Sequence, residues 1–212
     1  MRKLLLLLCI TASAFTAKTQ SNDKEMSSLY FRFGTGYGQR LESLPGELDA
    51  EGQKHFSKLN RGLNLSFHLG YNLNYYNAFA LSYSRLGSNA NNTFNNSNWD
   101  SYTSTSFVGL TYQKLIPVGE KKDVNFNLQL GPGLIFYRTQ YTITNRTTKI
   151  VTNKDYSNES LGILTGINFD FRLSRTIRFE LNADKTWGKI KDGSTNINLD
   201  VLSLGTGFKF SF

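Results

Sequence analysis

The chain has 212 residues, and 24 lysines and arginines against 16 aspartates and glutamates give it a formal net charge of +8 at pH 7. Its single cysteine, Cys9, excludes a disulfide framework within the chain and a thiol-based metal site. After the first residues no apolar run is long enough for a transmembrane helix, so a membrane location would require a barrel of strands.

The chain begins with a pattern typical of secretory signal peptides. Met1-Arg2-Lys3 is a positive start, Leu4 to Ile10 is apolar, and Ala12-Ser13-Ala14 is a small-residue cleavage site. We expect residues 1–14 to be a signal peptide, with the cleavage site lying no further than about residue 20. Cleavage would remove Cys9 and leave a chain suited to one domain.

Eight later segments alternate between apolar residues and polar or small ones, the period of a strand with two different faces. In chain order they are Leu29–Gly38, Arg61–Tyr71, Ala78–Leu86, Tyr102–Lys114, Val124–Tyr137, Leu161–Phe171, Ile177–Trp187 and Asn198–Phe212. They have between 9 and 15 residues, enough for a tilted transmembrane strand of about ten.

Two features depart from regular strands. Gly131-Pro132-Gly133 lies inside the fifth segment. Because proline has no backbone N–H to donate to a neighbouring strand, this tripeptide predicts a bulge or bend. In the eighth segment, Leu199 and Val201 have the opposite parity from Leu202 onward. Either a bulge lies near Val201, or the first part of that strand stands above the membrane.

The connections between the segments alternate in length. Those after the odd-numbered segments are long and polar: Gln39–Asn60, Ser88–Ser101, Arg138–Ser160 and the shorter Gly188–Asn196 lie after segments one, three, five and seven. The others, Asn72–Asn77, Leu115–Asp123 and Arg172–Thr176, are short. Long outer loops and short periplasmic turns are typical of outer-membrane barrels.

These patterns predict an all-β fold, an eight-stranded antiparallel up-and-down transmembrane β-barrel over residues 28–212, preceded by a short periplasmic segment at 15–27. A soluble lipocalin-like barrel is the alternative, but its polar stripe would face water and carry more charge. In the closing strand an apolar stripe is expected to mediate membrane insertion and barrel closure: Leu202, Leu204, Phe208, Phe210 and Phe212.

The strand pattern, the loop asymmetry and the Leu202–Phe212 stripe with its terminal Phe resemble the small outer-membrane β-barrels of Gram-negative bacteria, OmpA- and OmpX-like in architecture. The resemblance covers the whole chain after the signal peptide. It implies a monomer in the cell outer membrane, in contact with outer-membrane lipid and lipopolysaccharide. It also implies that the barrel-assembly machinery reads the C-terminal Phe. Because this architecture hosts many functions, it does not decide among them.

Charged and histidine side chains on the inward stripe predict a network inside the barrel. The six residues are Arg32, His68, Asp170, Arg178, Glu180 and Asp184. An eight-stranded barrel is filled by its own side chains, and buried charges must be paired. We therefore interpret the network as structural. A gate or proton path in a narrow small-solute channel is the alternative.

An enzymatic alternative rests on His55 in the first long connection and on Asp100-Ser101 at the end of the second. The two fragments resemble the palmitoyl transfer enzymes built on this fold, which implies lipid acyl transfer or hydrolysis. Loops rich in Asn and Ser produce such pairs by composition, so we expect no enzyme, cofactor or metal site.

Basic residues are scattered through the long connections, among them Lys58, Arg146 and Lys149. They fit lipid phosphates or a solvated surface, and no nucleic-acid-binding module accompanies them. The sequence thus predicts a structural or surface-interaction role, in which the long connections engage an extracellular ligand.

Overall fold

The structure is a computed structural model that describes residues 29–41, 50–94, 96–119, 123–192 and 195–212. The predicted signal peptide and periplasmic segment lie outside these residues. No helix in the described part of the chain is long and apolar enough to cross a membrane.

The described chain forms one closed antiparallel barrel. Its strands are β1 (Leu29–Arg40), β2 (Arg61–Asn74), β3 (Asn77–Phe94), β4 (Ser97–Val118), β5 (Val124–Asn145), β6 (Val151–Arg172), β7 (Ile177–Asp192), β8 (Thr195–Asn198) and β9 (Val201–Ser211). Consecutive strands pair from β1 to β7, and β9 closes the ring by pairing with both β7 and β1. The short β8 pairs only with the end of β7. The predicted eight-stranded barrel is confirmed.

The apolar stripe of each strand faces outward. On β9, Leu202, Leu204 and Phe208 are exposed and Phe210 is half-buried, whereas Ser203 and Lys209 on the other parity are buried. Phe212, the residue after β9, is also exposed. A soluble barrel would have the reverse arrangement. The result is an apolar belt around a polar interior, the arrangement of a barrel that faces lipid.

Three of the predicted long connections are strands for most of their length, which corrects the prediction. In the shortest of them, between Gly188 and Asn196, β7 runs on to Asp192 and β8 starts at Thr195. The other two continue the barrel wall. Between Ser88 and Ser101, β3 runs on to Phe94 and β4 starts at Ser97; between Arg138 and Ser160, β5 runs on to Asn145 and β6 starts at Val151. Thr and Tyr side chains, which favour strands, carry the alternation on past the apolar belt. We call residues 88–94, 97–106, 138–145 and 151–160 the extension sheet.

The two turns of the extension sheet are joined to each other. Asn96, at a φ of 56°, uses its side-chain amide to donate to Oγ1 of Thr147 at 2.6 Å. The backbone N–H of Arg146 donates to the Asn96 carbonyl at 2.9 Å. The extension sheet is therefore one four-stranded body rather than two separate loops.

The first long connection contains a helix that the sequence did not lead us to expect, α1 (Ala50–Leu59). His55 and Leu59, one helical turn apart, are buried, while Lys54 and Lys58 are exposed. This amphipathic spacing lets α1 pack against β2, β3 and β4 at the extension-sheet end of the barrel.

Pro132 does not produce the predicted bulge. The pairing of β4 with β5 keeps one register across it, from Gly109↔Gly133 to Tyr112↔Leu130. The pairings in between are missing because proline has no N–H to donate. A Cβ on Gly131 would lie 2.0 Å from the carbonyl oxygen of Leu110, so the glycine permits the close approach of the two backbones.

The parity change before Leu202 has a simple origin. Leu199 and Val201 continue the inward face of β9, and both are buried inside the barrel. The change marks apolar residues in the interior, not an inserted residue. Of the two explanations considered from sequence, the bulge near Val201 is wrong, since β1 pairs from Arg40↔Val201 to Tyr30↔Ser211 without a shift.

Candidate functional site

A polar network fills the middle of the barrel, and Arg32 is at its centre. Its guanidinium Nε lies 3.3 Å from Oε2 of Glu180, and Nη2 is within hydrogen-bond distance of Nε2 of His68. Nη2 also donates to Oε1 of Gln129 at 3.4 Å, and Gln129 in turn donates to Asp184. All five side chains are buried, so the cation and the carboxylates compensate each other away from water.

A second ion pair lies toward the end of the barrel that holds the chain termini. Lys209 Nζ is 3.9 Å from Oδ2 of Asp170 and 4.1 Å from the ring centre of Tyr30. The Tyr30 hydroxyl donates to Oε1 of Gln113 at 2.9 Å. Arg178 is only half-buried, at the rim of the barrel. Its Nη1 donates to the side-chain oxygen of Asn125 at 3.1 Å when the Asn125 amide is oriented so that both its oxygen and its nitrogen have partners.

Above the polar network, an apolar layer crosses the barrel interior. It consists of inward side chains from four strands and from the link between β8 and β9: Phe107, Ile135, Leu164, Ile190 and Leu199. Gly162 and Gly188 make room for it, because a Cβ on either would lie 2.4 Å or less from Cδ1 of Ile135. Close packing of this kind leaves little space for water along the axis.

Arg40, on the inward face of β1, lies beyond the apolar layer and holds α1 in place. Its guanidinium donates to the carbonyl oxygen of Leu59, at the C-terminal end of the helix. It also donates to Oγ1 of Thr105 at 2.8 Å and to Oγ of Ser88 at 2.9 Å. A cation at this end is favourable, since the last helical carbonyls lack partners within the helix.

His55 and Ser101, which were enzymatic candidates, do meet. Nε2 of His55 is 2.8 Å from Oγ of Ser101, and the two side chains are 0% and 1% exposed. Asp100 does not join them. It is exposed on the opposite face of β4, where the side-chain amide of Asn91, in the orientation that satisfies both its atoms, donates to its Oδ1 at 2.8 Å.

Aromatic side chains surround the His55–Ser101 contact. The rings of His55 and Trp99 lie 6.2 Å apart, and those of Phe56 and Tyr141 lie 6.4 Å apart. Burial lowers the pKa of His55, and the charge of nearby Lys58 lowers it further. The imidazole is therefore neutral at pH 7 and tied between helix and sheet.

Several of these residues were missed from sequence although the alternation contains them. Lys209 has the same inward parity as Ser203, and Gln129 has that of Asn127. Arg40 lies on the inward face of β1 together with Arg32. Following each stripe to its end, including single polar residues, would have found them. In the described residues no three His, Cys, Asp or Glu side chains form a group suited to a metal ion.

Comparisons with known proteins agree with this architecture. A family model described as outer membrane protein beta-barrel domain matches residues 4–210. No curated protein matches the chain in sequence.

Two solved structures illustrate the similarity of fold. The first is the outer membrane protein OprG from Pseudomonas aeruginosa, with a TM-score of 0.54 and 14% identity over 89% of this chain and 98% of that one. The second is Ail, the attachment invasion locus protein of Yersinia pestis, in complex with the heparin analogue sucrose octasulfate. Its TM-score is 0.50, with 16% identity over 86% of this chain and 99% of that one.

Proposed function

The chain belongs to the outer membrane protein β-barrel family, and we propose that this integral protein of the cell outer membrane is a surface-interaction protein that works through its extension sheet. The extension sheet lies at the end of the barrel opposite the described termini and the short turns. In outer-membrane barrels the longer connections face outward from the cell.

The observation that carries this proposal is the preformed order of the extension sheet. Its inner strands β4 and β5 are paired on both sides, and its two turns are bonded through Asn96. A binding surface that is already ordered loses little conformational entropy when a partner docks.

The tip of the extension sheet has the character of a binding surface for anions. Arg146, Lys149 and Lys154 are exposed there, next to the exposed apolar side chains of Ile150 and Val151. Sulfated saccharide chains are a suitable ligand class, because their charges can pair with these cations. A heparin analogue bound to Ail, which has a similar fold, makes heparin a reasonable first probe.

We propose that the barrel does not conduct solutes. The apolar layer around Phe107 and Ile135 and the ion-paired network around Arg32 both lie on its axis. An ion in such a layer would lose its hydration without gaining partners, which is strongly unfavourable. This packing supports a closed interior over a narrow channel.

Lipid acyl transfer is the second candidate function, because His55 and Ser101 are in hydrogen-bond contact. A nucleophilic serine also needs access to substrate and a group that orients the histidine. Ser101 is buried and Asp100 faces the other way. We therefore propose that the contact fixes α1 and that the protein is not an enzyme.

The surface role can be tested on cells that display the protein. We expect wild-type cells to bind immobilised heparin, and the triple variant Arg146→Gln, Lys149→Gln, Lys154→Gln to bind about tenfold more weakly, since even one lost charge-assisted contact contributes about that factor. A matched control neutralises three cations at the opposite end: Lys114→Gln, Arg172→Gln, Arg175→Gln.

A second variant tests the extension sheet itself. Thr139 and Tyr156 face each other across β5 and β6, so residues 140–155 can be replaced by an Asn-Gly turn. We expect this variant to fold, to show heat-dependent gel mobility and to lose binding to immobilised heparin. Unchanged binding of the shortened variant to heparin would contradict the proposed role.

A further inference from the structure

A groove of about 430 Å³ lies on the outside of the barrel, separate from the tip of the extension sheet. It forms where the pairing of β2 with β3 ends, at Leu63↔Gly87, while β3 and β4 continue into the extension sheet. Leu63 and Leu65 form its apolar side, and Arg85 and Tyr102 form its polar side. The groove therefore joins the apolar belt to the polar extension.

Arg85 is held in the groove by its neighbours. It stands directly across from Leu65 in the β2–β3 register, and Nη2 donates to the Tyr102 hydroxyl oxygen at 2.8 Å. Because that oxygen accepts from Arg85, the Tyr102 O–H remains able to donate to a further group. Leu63, beside them, is 58% exposed and lies on the lipid-facing side of the barrel.

Arg85 and Arg138, two strands apart, differ in whether a carboxylate pairs with the guanidinium. Arg138 is paired through two nitrogens with Asp155, at 3.1 and 2.5 Å. In the part of the chain that the structure describes, Arg85 interacts with the neutral hydroxyls of Tyr102 and Tyr83, and no carboxylate lies within salt-bridge distance. An anion from outside the chain can therefore pair with Arg85.

We propose that this groove binds a phosphorylated glycolipid of the outer leaflet. An acyl chain lies along Leu63 and Leu65, and a phosphate group accepts hydrogen bonds from the Arg85 guanidinium and the Tyr102 hydroxyl. Arginine suits this role because its planar fork matches phosphate geometry. The position of the groove, at the extension-sheet end of the apolar belt, is the level at which headgroup phosphates of the outer leaflet lie.

The test uses the full-length folded protein in phosphatidylcholine nanodiscs, with native mass spectrometry to count bound lipid during titration with bis-phosphorylated lipid A. We expect Arg85→Gln to weaken binding about tenfold, as for one lost charge-assisted contact, and Tyr102→Phe to weaken it less. Arg138→Gln is the matched control, because it removes a nearby outward cation but leaves the groove intact. Heat-dependent gel mobility verifies folding, and Arg85→Lys, which keeps the charge but loses the fork, replaces Arg85→Gln if that variant misfolds.

Each outcome decides the proposal. Loss of binding in Arg85→Gln or Arg85→Lys with retention in Arg138→Gln supports the site. Equal binding by wild type and the Arg85 variants overturns it, as does equal loss in Arg138→Gln or equal binding of lipid A without phosphates. Phosphatidic acid that binds as tightly as lipid A would overturn the assignment to a glycolipid. These results do not depend on the role of the extension sheet.

Discussion

Nε2 of His55 lies 2.8 Å from Oγ of Ser101, so the one helix in the described residues is tied to β4 by a buried hydrogen bond. Arg40 holds the same helix at its last turn, through the carbonyl oxygen of Leu59. Together these contacts make α1 a fixed cap on the interior at the extension-sheet end of the barrel.

Ser101→Ala should loosen α1 without unfolding the barrel. Loss of a buried hydrogen bond to His55 costs about 1–2 kcal/mol, and the loss should appear as faster hydrogen exchange in α1. Ser57→Ala is the matched control, because Ser57 is exposed on the same helix. Equal exchange rates in α1 for wild type and Ser101→Ala would contradict the proposed tie.

The same variant separates a fixed helix from an enzyme. If Ser101 only holds α1, Ser101→Ala and His55→Ala should leave the acylation pattern of the outer-membrane glycolipid unchanged by mass spectrometry. An acyl chain that is present with wild type and missing with both variants would support the enzymatic alternative instead.

Acid should release α1. Burial and the charge of Lys58 lower the pKa of His55 in the docked state, whereas an undocked histidine has a pKa of about 6.5. The docked helix is therefore fully stabilised above the pKa of the undocked histidine. That stabilisation is lost as the pH falls from this value through the lower pKa of docked His55. In a Trp187→Phe background, fluorescence of the neighbouring Trp99 should change between pH 8 and 5, and His55→Gln should abolish most of the change.

Removing one partner of the Arg32–Glu180 ion pair should destabilise the fold far more than replacing both partners by apolar residues. Arg32→Met leaves buried carboxylates without their cation, which costs about 3–5 kcal/mol in the free energy of unfolding. The double variant Arg32→Met, Glu180→Leu should lose less than the sum of the two single variants. Urea unfolding in lipid vesicles measures both; additive losses would argue against the pair.

The apolar layer should determine whether solutes pass. Wild-type protein should give no stepwise current in planar bilayers. Phe107→Ala with Ile135→Ala truncates two of the five side chains of the layer and costs about 2–5 kcal/mol per site. Current that appears only in this double variant would support a layer that blocks the axis, and steady current through folded wild type would contradict it.

The strand alternation was enough to predict the barrel, because each inward residue of β9, such as Ser203 or Lys209, is directly followed by a residue that faces lipid. The extension sheet was not predicted, because its strands carry polar residues on both faces. Segments around Thr139 or Ser101 therefore lack the apolar alternation that indicates a strand. Their strand character depends on pairing with neighbours, such as Ser101↔Tyr141, that are distant in sequence.

The candidate site was predictable only in part. Arg32 and Glu180 could be placed inside from parity, but their partnership depends on the shear of the closed sheet, which local sequence does not specify. The approach of His55 to Ser101 depends on α1, a short helix whose stability comes from packing rather than propensity. The failure of Asp100 to join them follows from alternation alone, because adjacent strand residues face opposite sides.

The preformed extension sheet is the central claim, and hydrogen exchange in lipid nanodiscs tests it most directly. The amides of β4 from Asn98 to Ser106 and of β5 from Arg138 to Thr144 lie between paired strands on both sides. We predict that they exchange far more slowly than the amides of the turn at residues 146–149. Exchange of both strand segments as fast as that turn would show two mobile loops and would contradict the account.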